Sequence, residues 1–132
     1  MKSQKTVFIA DDDPDDRSFI SDAIKEEDTS IDIIEAEDGA ELLDIIKQED
    51  IAEPSLIVLD MNMPKMNGLE TINAIKADTE LSVIPAVMVS TSSNPTLSRK
   101  AFEYGISDFF VKPYNFKGYR EMARQLLSKY LS

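Results

Sequence analysis

The 132-residue sequence contains neither cysteine nor histidine. The lack of cysteine excludes disulfides, thiol catalysis and thiolate metal sites. The lack of histidine excludes imidazole bases and imidazole metal ligands, and any phosphohistidine used by this chain must belong to a partner. Both absences narrow the chemistry that the chain can carry out by itself.

Long apolar runs are also absent, since no stretch approaches the roughly 20 residues that a membrane span needs. The first five residues, 1–5, lead directly into a strand-like segment without the apolar stretch and cleavage site of a signal peptide. Hydrophobic residues make up 42% of the chain and charged residues 30%, which are values typical of globular domains. We therefore expect a soluble, cytoplasmic protein without a membrane partner.

Positive charge is scarce, because 14 Lys and Arg stand against 25 Asp and Glu for a net charge of −11. This balance argues against binding to nucleic acid or anionic lipid. The charge is uneven: residues 99–132 hold seven of the basic residues and three acids, for +4 against −15 elsewhere. This positive tail is either an ordinary solvated helix face or a partner surface.

Strand-like and helix-like periods alternate along the whole chain. Strands are predicted at residues 7–10, 31–36, 56–60, 84–89 and 108–111. Helices are predicted to follow the strands. The first two start after residues 13–14 and 38–39, and a loop at 52–54 closes the second. The third spans 68–77, the fourth runs from 94–95 to 104, and the fifth runs from 113 to the chain end. Such alternation predicts a three-layer α/β/α fold with a five-stranded parallel sheet. The length fits a single domain over 1–132 with no output domain.

Two helices show their starts most clearly, and the first and last helices show the clearest apolar faces. Asp13 before Pro14, and Asn94 before Pro95, combine an N-cap residue with proline at the first helical position. The expected inner face of the first helix consists of Phe19, Ile20, Ala23 and Ile24. The expected inner face of the last helix consists of Phe116, Tyr119, Ala123, Leu126 and Tyr130.

Polar residues follow four of the predicted strands directly: Asp11 and Asp12, Asp60, Ser90 and Lys112. In an open parallel sheet these strand ends lie at one edge, where binding sites are built. Neighbouring carboxylates raise one another's pKa unless a cation intervenes, and Mg²⁺ suits oxygen ligands of this kind. Lys112 and Ser90 could then bind phosphoryl oxygens. The set favours transfer of a phosphoryl group to a carboxylate.

Each of these residues also has an ordinary structural interpretation when it is considered alone. Ser90 could be a satisfied strand-end hydroxyl, Lys112 a surface charge and Asp60 an acid that begins a loop. Asp13 is interpreted as a helix cap, and Asp15 and Asp16 as partners of the helix dipole. The joint placement at strand ends is what favours a site.

Two other acid motifs compete for the same residues. Asp11, Asp13 and Asp15 have the spacing of an EF-hand loop, but Asp16 stands where glycine is needed and the preceding segment is a strand, so this motif is rejected. A haloacid-dehalogenase-type phosphatase also has an aspartate nucleophile after its first strand. Pro14 breaks that pattern, and the phosphatase stays a weaker alternative.

Four segments together resemble the signatures of response-regulator receiver domains: residues 10–14, 59–68, 89–91 and 111–113. The chemotaxis member of that family has the strand order 2-1-3-4-5. The start of the chain, residues 11–17, also resembles stand-alone receivers paired with phytochrome-type kinases.

The resemblance implies a role for each residue of the site. Asp60 would be the phosphoacceptor, and Asp12 and Asp60 would hold Mg²⁺ together with the backbone carbonyl of Asn62. Asp11 would orient metal-bound water. Ser90 and Lys112 would contact the phosphoryl group, a cis peptide before Pro113 would aim Lys112, and Ser90 and Phe109 would form a coupled switch.

The expected function is a single-domain response regulator that takes phosphate from a sensor histidine kinase or phosphotransfer protein. It would catalyse its own phosphorylation and dephosphorylation while acting mainly as a signalling module. The alternatives are a degenerate receiver that only binds partners and the phosphatase. Its output would pass to an unidentified downstream protein with acidic residues, or to a second copy, through the positive tail, with Arg99, Lys100, Lys117, Arg120, Arg124 and Lys129 as candidates.

Overall fold

The computed structural model describes residues 5–48 and 54–131. Its strands are β1 (Thr6–Ala10), β2 (Asp32–Ala36), β3 (Leu56–Asp60), β4 (Ala86–Ser90) and β5 (Asp108–Val111). Its helices are α1 (Pro14–Glu27), α2 (Gly39–Gln48), α3 (Gly68–Ala77), α4 (Pro95–Glu103) and α5 (Phe116–Leu126), and a wider helical turn, Leu127–Leu131, continues α5. A short 3₁₀ turn at Leu81–Val83 precedes β4.

The five strands form one parallel sheet in the order β2-β1-β3-β4-β5, which confirms the predicted fold class. The registers align the carboxyl ends: Ala10 lies beside Leu59 and Ala36, and Asp60 lies beside Val89. The residues that follow β1, β3, β4 and β5 therefore meet at one edge of the sheet.

Two apolar clusters, one on each face of the sheet, make up the core. Side chains alternate between the faces along each strand. Val7 and Ile9 pack with α1 and α5, whereas Phe8 and Ala10 pack with α2, α3 and α4. Strands β1, β3 and β4 are buried throughout, as the continuous apolar runs predict for a sheet covered on both sides.

The capping signals in the sequence are confirmed. Asp13 Oδ1 accepts hydrogen bonds from the backbone N–H groups of Asp15 and Asp16, at 2.9 and 3.4 Å. Asn94 accepts from the N–H of Thr96 at 2.8 Å. These side chains stabilise the starts of α1 and α4, the two helices that begin with proline.

Several details differ from the sequence expectations. Phe19 is 43% exposed and lies at the border of α1 and α5, where its ring contacts those of Phe116 and Tyr119. Met122, absent from the expected inner face of α5, is buried. Strand β4 begins at Ala86 because Pro85 has no N–H to give to the ladder.

Other boundaries shift by a residue or two, since β2 begins at Asp32 and α4 ends at Glu103. Residues 52 and 53 of the predicted loop lie outside the described part of the chain. In the parts of the chain that the structure describes, no helix has the length and apolar character of a membrane span.

Candidate phosphorylation site

Three carboxylates gather at the carboxyl edge of the sheet. Asp11 directly follows β1, where its N–H donates to the carbonyl of Ala36 at 3.1 Å, and Asp60 is the last residue of β3. One oxygen from each of Asp11, Asp12 and Asp60 lies within 4.8 Å of the others. Asp11 and Asp60 are buried, at 1% and 4% exposure, while Asp12 is exposed.

Backbone donors satisfy only part of this carboxylate group. The N–H of Asp13 donates to Asp11 Oδ1 at 2.9 Å, and the N–H of Asn62 donates to Asp60 Oδ1 at 3.3 Å. Asp11 Oδ2 is buried and, among the described residues, has no hydrogen-bond partner. An orphaned oxygen beside two more carboxylates is a donor set that fits a hard divalent cation.

The loop after β3 passes close to this group because residue 68 is glycine. The N–H of Gly68 donates to the carbonyl of Met61 at 3.0 Å. A Cβ at residue 68 would lie 2.6 Å from the carbonyl oxygen of Asp60 and 2.6 Å from the sulfur of Met88. Only glycine lets α3 begin this near to the end of β3.

Lys112 extends from β5 into the carboxylate group. Its backbone N–H donates to the carbonyl of Ser90 at 2.7 Å, which continues the pairing of β5 with β4. Its Nζ atom lies 3.0 Å from Asp11 Oδ2 and 3.5 Å from Asp60 Oδ1. The contact with Asp11 is an ion pair without hydrogen-bond alignment, which is why Oδ2 remains orphaned.

The cis peptide expected before Pro113 is absent, because every peptide bond of the described residues is trans. The side chain of Lys112 nevertheless reaches Asp11 and Asp60, since its four-carbon stem is long and β5 holds its backbone beside Ser90.

Asp16 is a contact of Lys112 that the sequence interpretation missed. Asp16 Oδ2 lies 2.7 Å from Lys112 Nζ, nearer than either Asp11 or Asp60, and it accepts a hydrogen bond from that ammonium. Its other oxygen, Oδ1, accepts from the Tyr119 hydroxyl at 3.5 Å. The sequence offered one signal for this contact. Lys112 was the single cation predicted at an edge rich in acids, and an acid in the first turn of the helix after β1, such as Asp16, lies near that edge.

Arg17 is a second contact that sequence reasoning missed. Its Nη1 donates to the backbone carbonyl of Asp11 at 2.7 Å, and its Nε pairs with Glu35 Oε1 at 3.1 Å. Arg17 therefore ties the turn between β1 and α1 to β2 and stabilises the backbone that carries Asp11. Arg17 closes the segment 11–17 noted in the sequence, but no role or contact was predicted for it.

Burial and like charge control the electrostatics of the site. Burial raises the pKa of Asp11 above its ordinary value, against the opposing effects of the Asp13 N–H and Lys112. Burial, followed by the negative charge of Asp11, raises the pKa of Asp60 to about 7. For Lys112 burial alone would lower the pKa, but the hydrogen bond to Asp16 and the close contact with the negative charge of Asp11 raise it. The site therefore lacks positive charge, which a divalent cation would supply.

Burial also raises the pKa of Tyr119 to about 12, and the negative charge of Asp16 adds to that effect. The Tyr119 hydroxyl thus stays protonated at neutral pH and remains a donor toward Asp16.

Ser90 and Phe109 lie on neighbouring strands. Ser90 is fully buried at the end of β4, and its Oγ accepts from the Ser92 N–H at 3.1 Å. Phe109 is half-buried on β5, where it is in register with Met88 and packs with the cluster under α2, α3 and α4. Residues 88 and 90 face the same side of a strand, so Ser90 and Phe109 share one face of the sheet.

The positive tail separates into two groups of exposed cations. Arg120, Arg124 and Lys129 form ion pairs with Glu26, Glu27 and Asp108, at 3.3, 2.7 and 2.8 Å. Within the described residues, no ion pair involves the other three candidates, Arg99, Lys100 and Lys117.

Residues 7–124 match the family model of the response regulator receiver domain. This chain belongs to that family. The receiver domain accounts for the order of the strands, the acid group after β1 and β3, and the strand-end positions of Ser90 and Lys112. Phosphoryl acceptance in two-component signalling is the function expected of it.

Characterised relatives include proteins of similar and of much greater length. A chemotaxis protein CheY homolog of Campylobacter jejuni is 32% identical over 97 residues, which cover 73% of this chain and 72% of that protein. Histidine kinase P4 of Formosa agariphila is 32% identical over 126 residues, or 96% of this chain. The chain spans only 9% of the length of that kinase.

Solved structures agree with the fold. The phosphorylated cyanobacterial phytochrome response regulator RcpA has a TM-score of 0.90 at 27% identity, with 98% of this chain and 96% of that chain covered. The Mn²⁺-bound form of response regulator Rcp1 has a TM-score of 0.83 at 26% identity, with 95% and 93% covered. Receiver domains bind Mg²⁺ or Mn²⁺ at an acidic pocket and receive phosphate from sensor histidine kinases.

Proposed function

We propose that this chain acts as a cytoplasmic receiver domain and that Asp60 is its phosphoacceptor. The arrangement that carries the proposal is the position of Asp60 at the end of β3, grouped with Asp11 and Asp12 and 3.5 Å from the ammonium of Lys112. A buried nucleophilic carboxylate near both a cation site and a lysine suits phosphoryl transfer.

The metal of this site is Mg²⁺ in the proposal, held by Asp11, Asp12, Asp60 and the backbone carbonyl of Asn62. The orphaned oxygen of Asp11 and the close approach of the three carboxylates support this ligand set. When bound, Mg²⁺ supplies positive charge that offsets the negative charge of the acids and of the incoming phosphoryl oxygens.

The donor is a phosphohistidine of a sensor histidine kinase or phosphotransfer protein, since this chain contains no histidine. A carboxylate oxygen of Asp60 attacks phosphorus; the bond from phosphorus to the imidazole nitrogen breaks, and its electron pair returns to that nitrogen. Lys112 and Ser90 are the catalytic residues that bind the phosphoryl oxygens. Ser90 Oγ accepts from the Ser92 N–H, so its own hydrogen is available to donate.

Similarity to RcpA makes a phytochrome-type kinase the first partner to try in a phosphotransfer assay with this chain. The output surface in the proposal is α4, β5 and α5, next to Ser90 and Phe109, the switch residues. Its exposed cations Arg99, Lys100 and Lys117 suit a downstream protein that carries acidic residues, or an acidic patch of a second copy.

The coupling between phosphorylation and partner binding is expected to be about 1–3 kcal/mol, and the affinity should fall as salt rises. Amide exchange with and without beryllofluoride, a mimic of the phosphoryl group, tests the surface. Changes in amide exchange confined to residues 11–16 and 60–68, with none in 94–120, would contradict the proposed output surface.

Acetyl phosphate with Mg²⁺ separates the proposal from its alternatives. A receiver gains one acid-stable, base-labile phosphoryl group. A degenerate receiver that only binds partners gains none, and a phosphatase releases phosphate from many esters.

A further inference from the structure

The ammonium of Lys112 is shared unequally among its three carboxylates. Asp16, at 2.7 Å, is nearer to Nζ than Asp11 at 3.0 Å or Asp60 at 3.5 Å. Lys112 also has a directed hydrogen bond to Asp16, whereas its contact with Asp11 is an ion pair without hydrogen-bond alignment. The lysine is therefore held toward α1.

A phosphoryl group on Asp60 competes for the same ammonium. Lys112 has one ammonium group, and a dianionic phosphoryl group placed on Asp60 attracts it away from a single carboxylate. The negative charge of Asp16 near the site also opposes the negative charge of the phosphoryl group. Both effects have the same sign: each makes the phosphorylated form less favourable.

The second oxygen of Asp16 faces α5. Asp16 Oδ1 lies 3.5 Å from the hydroxyl of Tyr119, at the long limit of a hydrogen bond, while Oδ2 is bound to Lys112. Tyr119 is buried, at 3% exposure. When Lys112 leaves Oδ2, the carboxylate of Asp16 regains full acceptor strength toward Tyr119.

We propose, resting on the function proposed above, that Asp16 is a positioning residue that holds Lys112 away from Asp60 until a phosphoryl group displaces it, and that Tyr119 on α5 senses the release. This route to α5 runs along α1 and is separate from Ser90 and Phe109.

Beryllofluoride binding at saturating Mg²⁺ tests the competition. Asp16→Asn keeps the shape of the side chain and removes its charge, so it should bind beryllofluoride more tightly, on the order of fivefold. Asp15→Asn is the matched control, because Asp15 is an exposed acid one residue away whose side chain forms no ion pair with the described residues. Asp16→Glu restores the carboxylate and should return the affinity toward that of the wild type.

Tyrosine labelled with ¹³C at the ζ carbon tests the second half of the proposal. The chain has four tyrosines, and the spectrum of Tyr119→Phe identifies the resonance of Tyr119. Beryllofluoride should shift this resonance in the wild type and in Asp16→Glu, but not in Asp16→Asn. A merely structural role of Asp16 would leave the ligand-induced shift in place.

The outcomes separate this inference from the proposed function. Absence of Mg²⁺-dependent beryllofluoride binding by the wild type would overturn both. Binding by the wild type, with Asp16→Asn equal to Asp15→Asn or weaker than the wild type, would overturn only the role of Asp16. If Asp16→Asn does not fold, Asp16→Gln carries the same test, because glutamine is a good helix former.

Discussion

The ion pairs around Lys112 and those at the surface of α5 use the same residue types in different surroundings. The Lys112 side chain is 10% exposed and faces Asp11 and Asp60 at 2% and 5%. By contrast, Arg124 is 66% exposed opposite Glu27 at 28%. The buried group sets three carboxylates against one ammonium, whereas each surface pair is balanced.

This difference separates function from ordinary surface charge. An exposed pair is screened by solvent and contributes little to stability. An unbalanced buried group raises the pKa of its acids and leaves a need for positive charge, and such groups concentrate at functional sites. The comparison predicts that equivalent substitutions will have very different effects in the two places.

The largest effect is expected for the proposed nucleophile, Asp60. Asp60→Asn removes the attacking carboxylate, so phosphorylation by acetyl phosphate with Mg²⁺ should be abolished while the circular dichroism spectrum stays unchanged. Intact-protein mass spectrometry measures the added group. Wild-type labelling of Asp60→Asn would contradict the assignment.

A pair of lysine substitutions compares the two surroundings directly. Lys112→Ala should retain Mg²⁺ binding but lose phosphorylation or its conformational response, because the phosphoryl oxygens lose their cation. Lys129→Ala, which removes a lysine that is 52% exposed and paired with Asp108, should keep both. Labelling rates and Mg²⁺ titrations measure the outcome, and equal rates for the two variants would refute the distinction.

Loss of a proposed metal ligand should mainly lower the affinity for Mg²⁺. Asp12→Ala should weaken Mg²⁺ binding on the order of tenfold or more, a loss similar to that seen when groups around a metal site are removed. Without metal, the same change should raise the free energy of unfolding slightly, since it relieves repulsion between carboxylates. Isothermal titration and urea unfolding measure both effects, and equal Mg²⁺ affinities for wild type and Asp12→Ala would count against the site.

The raised pKa of Asp60 predicts a pH-dependent stability in the absence of metal. In the folded protein the Asp60 carboxyl group keeps its proton up to about pH 7, whereas in the unfolded chain it has the ordinary pKa of 3.8. The stabilisation of the folded state is therefore fully present at low pH and is lost as the pH rises between these two values. The loss is at most about 4 kcal/mol, because one pKa unit corresponds to about 1.4 kcal/mol.

Asp60→Asn, which stays neutral, isolates this effect. Its free energy of unfolding should equal that of the wild type near pH 4 and exceed it above pH 7, and saturating Mg²⁺ should reduce the difference. Urea unfolding at several pH values measures the curve. A difference between the two proteins that does not change with pH would contradict the account.

The smallest effect is expected at the surface of α1 and α5. A double-mutant cycle on Arg124→Ala and Glu27→Ala should give a coupling below about 1 kcal/mol, decreasing with salt, because the pair is solvated. A coupling several times larger would mean that the surface pairs resemble the buried group.

Much of the fold and the site could be predicted because local signals agree with the global structure. The apolar runs of β1, β3 and β4 end in polar residues, and Pro14 and Pro95 mark where helices begin. Because the carboxyl ends of parallel strands lie at one edge of a sheet, these few signals are enough to predict that Asp11 and Asp60 lie close together.

The features that sequence reasoning missed depend on side-chain reach. Asp16 and Lys112 are 96 residues apart, and nothing in the spacing of the first helical turn shows that one oxygen of Asp16 faces the lysine and the other Tyr119. The contact of Arg17 with the Asp11 carbonyl is of the same kind. The partial exposure of Phe19 arises where α1 meets α5, which a helical period alone does not locate.

Mapping the phosphoryl group of the wild-type protein tests the central claim most directly. After incubation with acetyl phosphate and Mg²⁺, tandem mass spectrometry of borohydride-reduced peptides should place a single modification at Asp60, and chelation of Mg²⁺ should prevent it. Modification at another residue, or equal modification of Asp60 without Mg²⁺, would contradict the account.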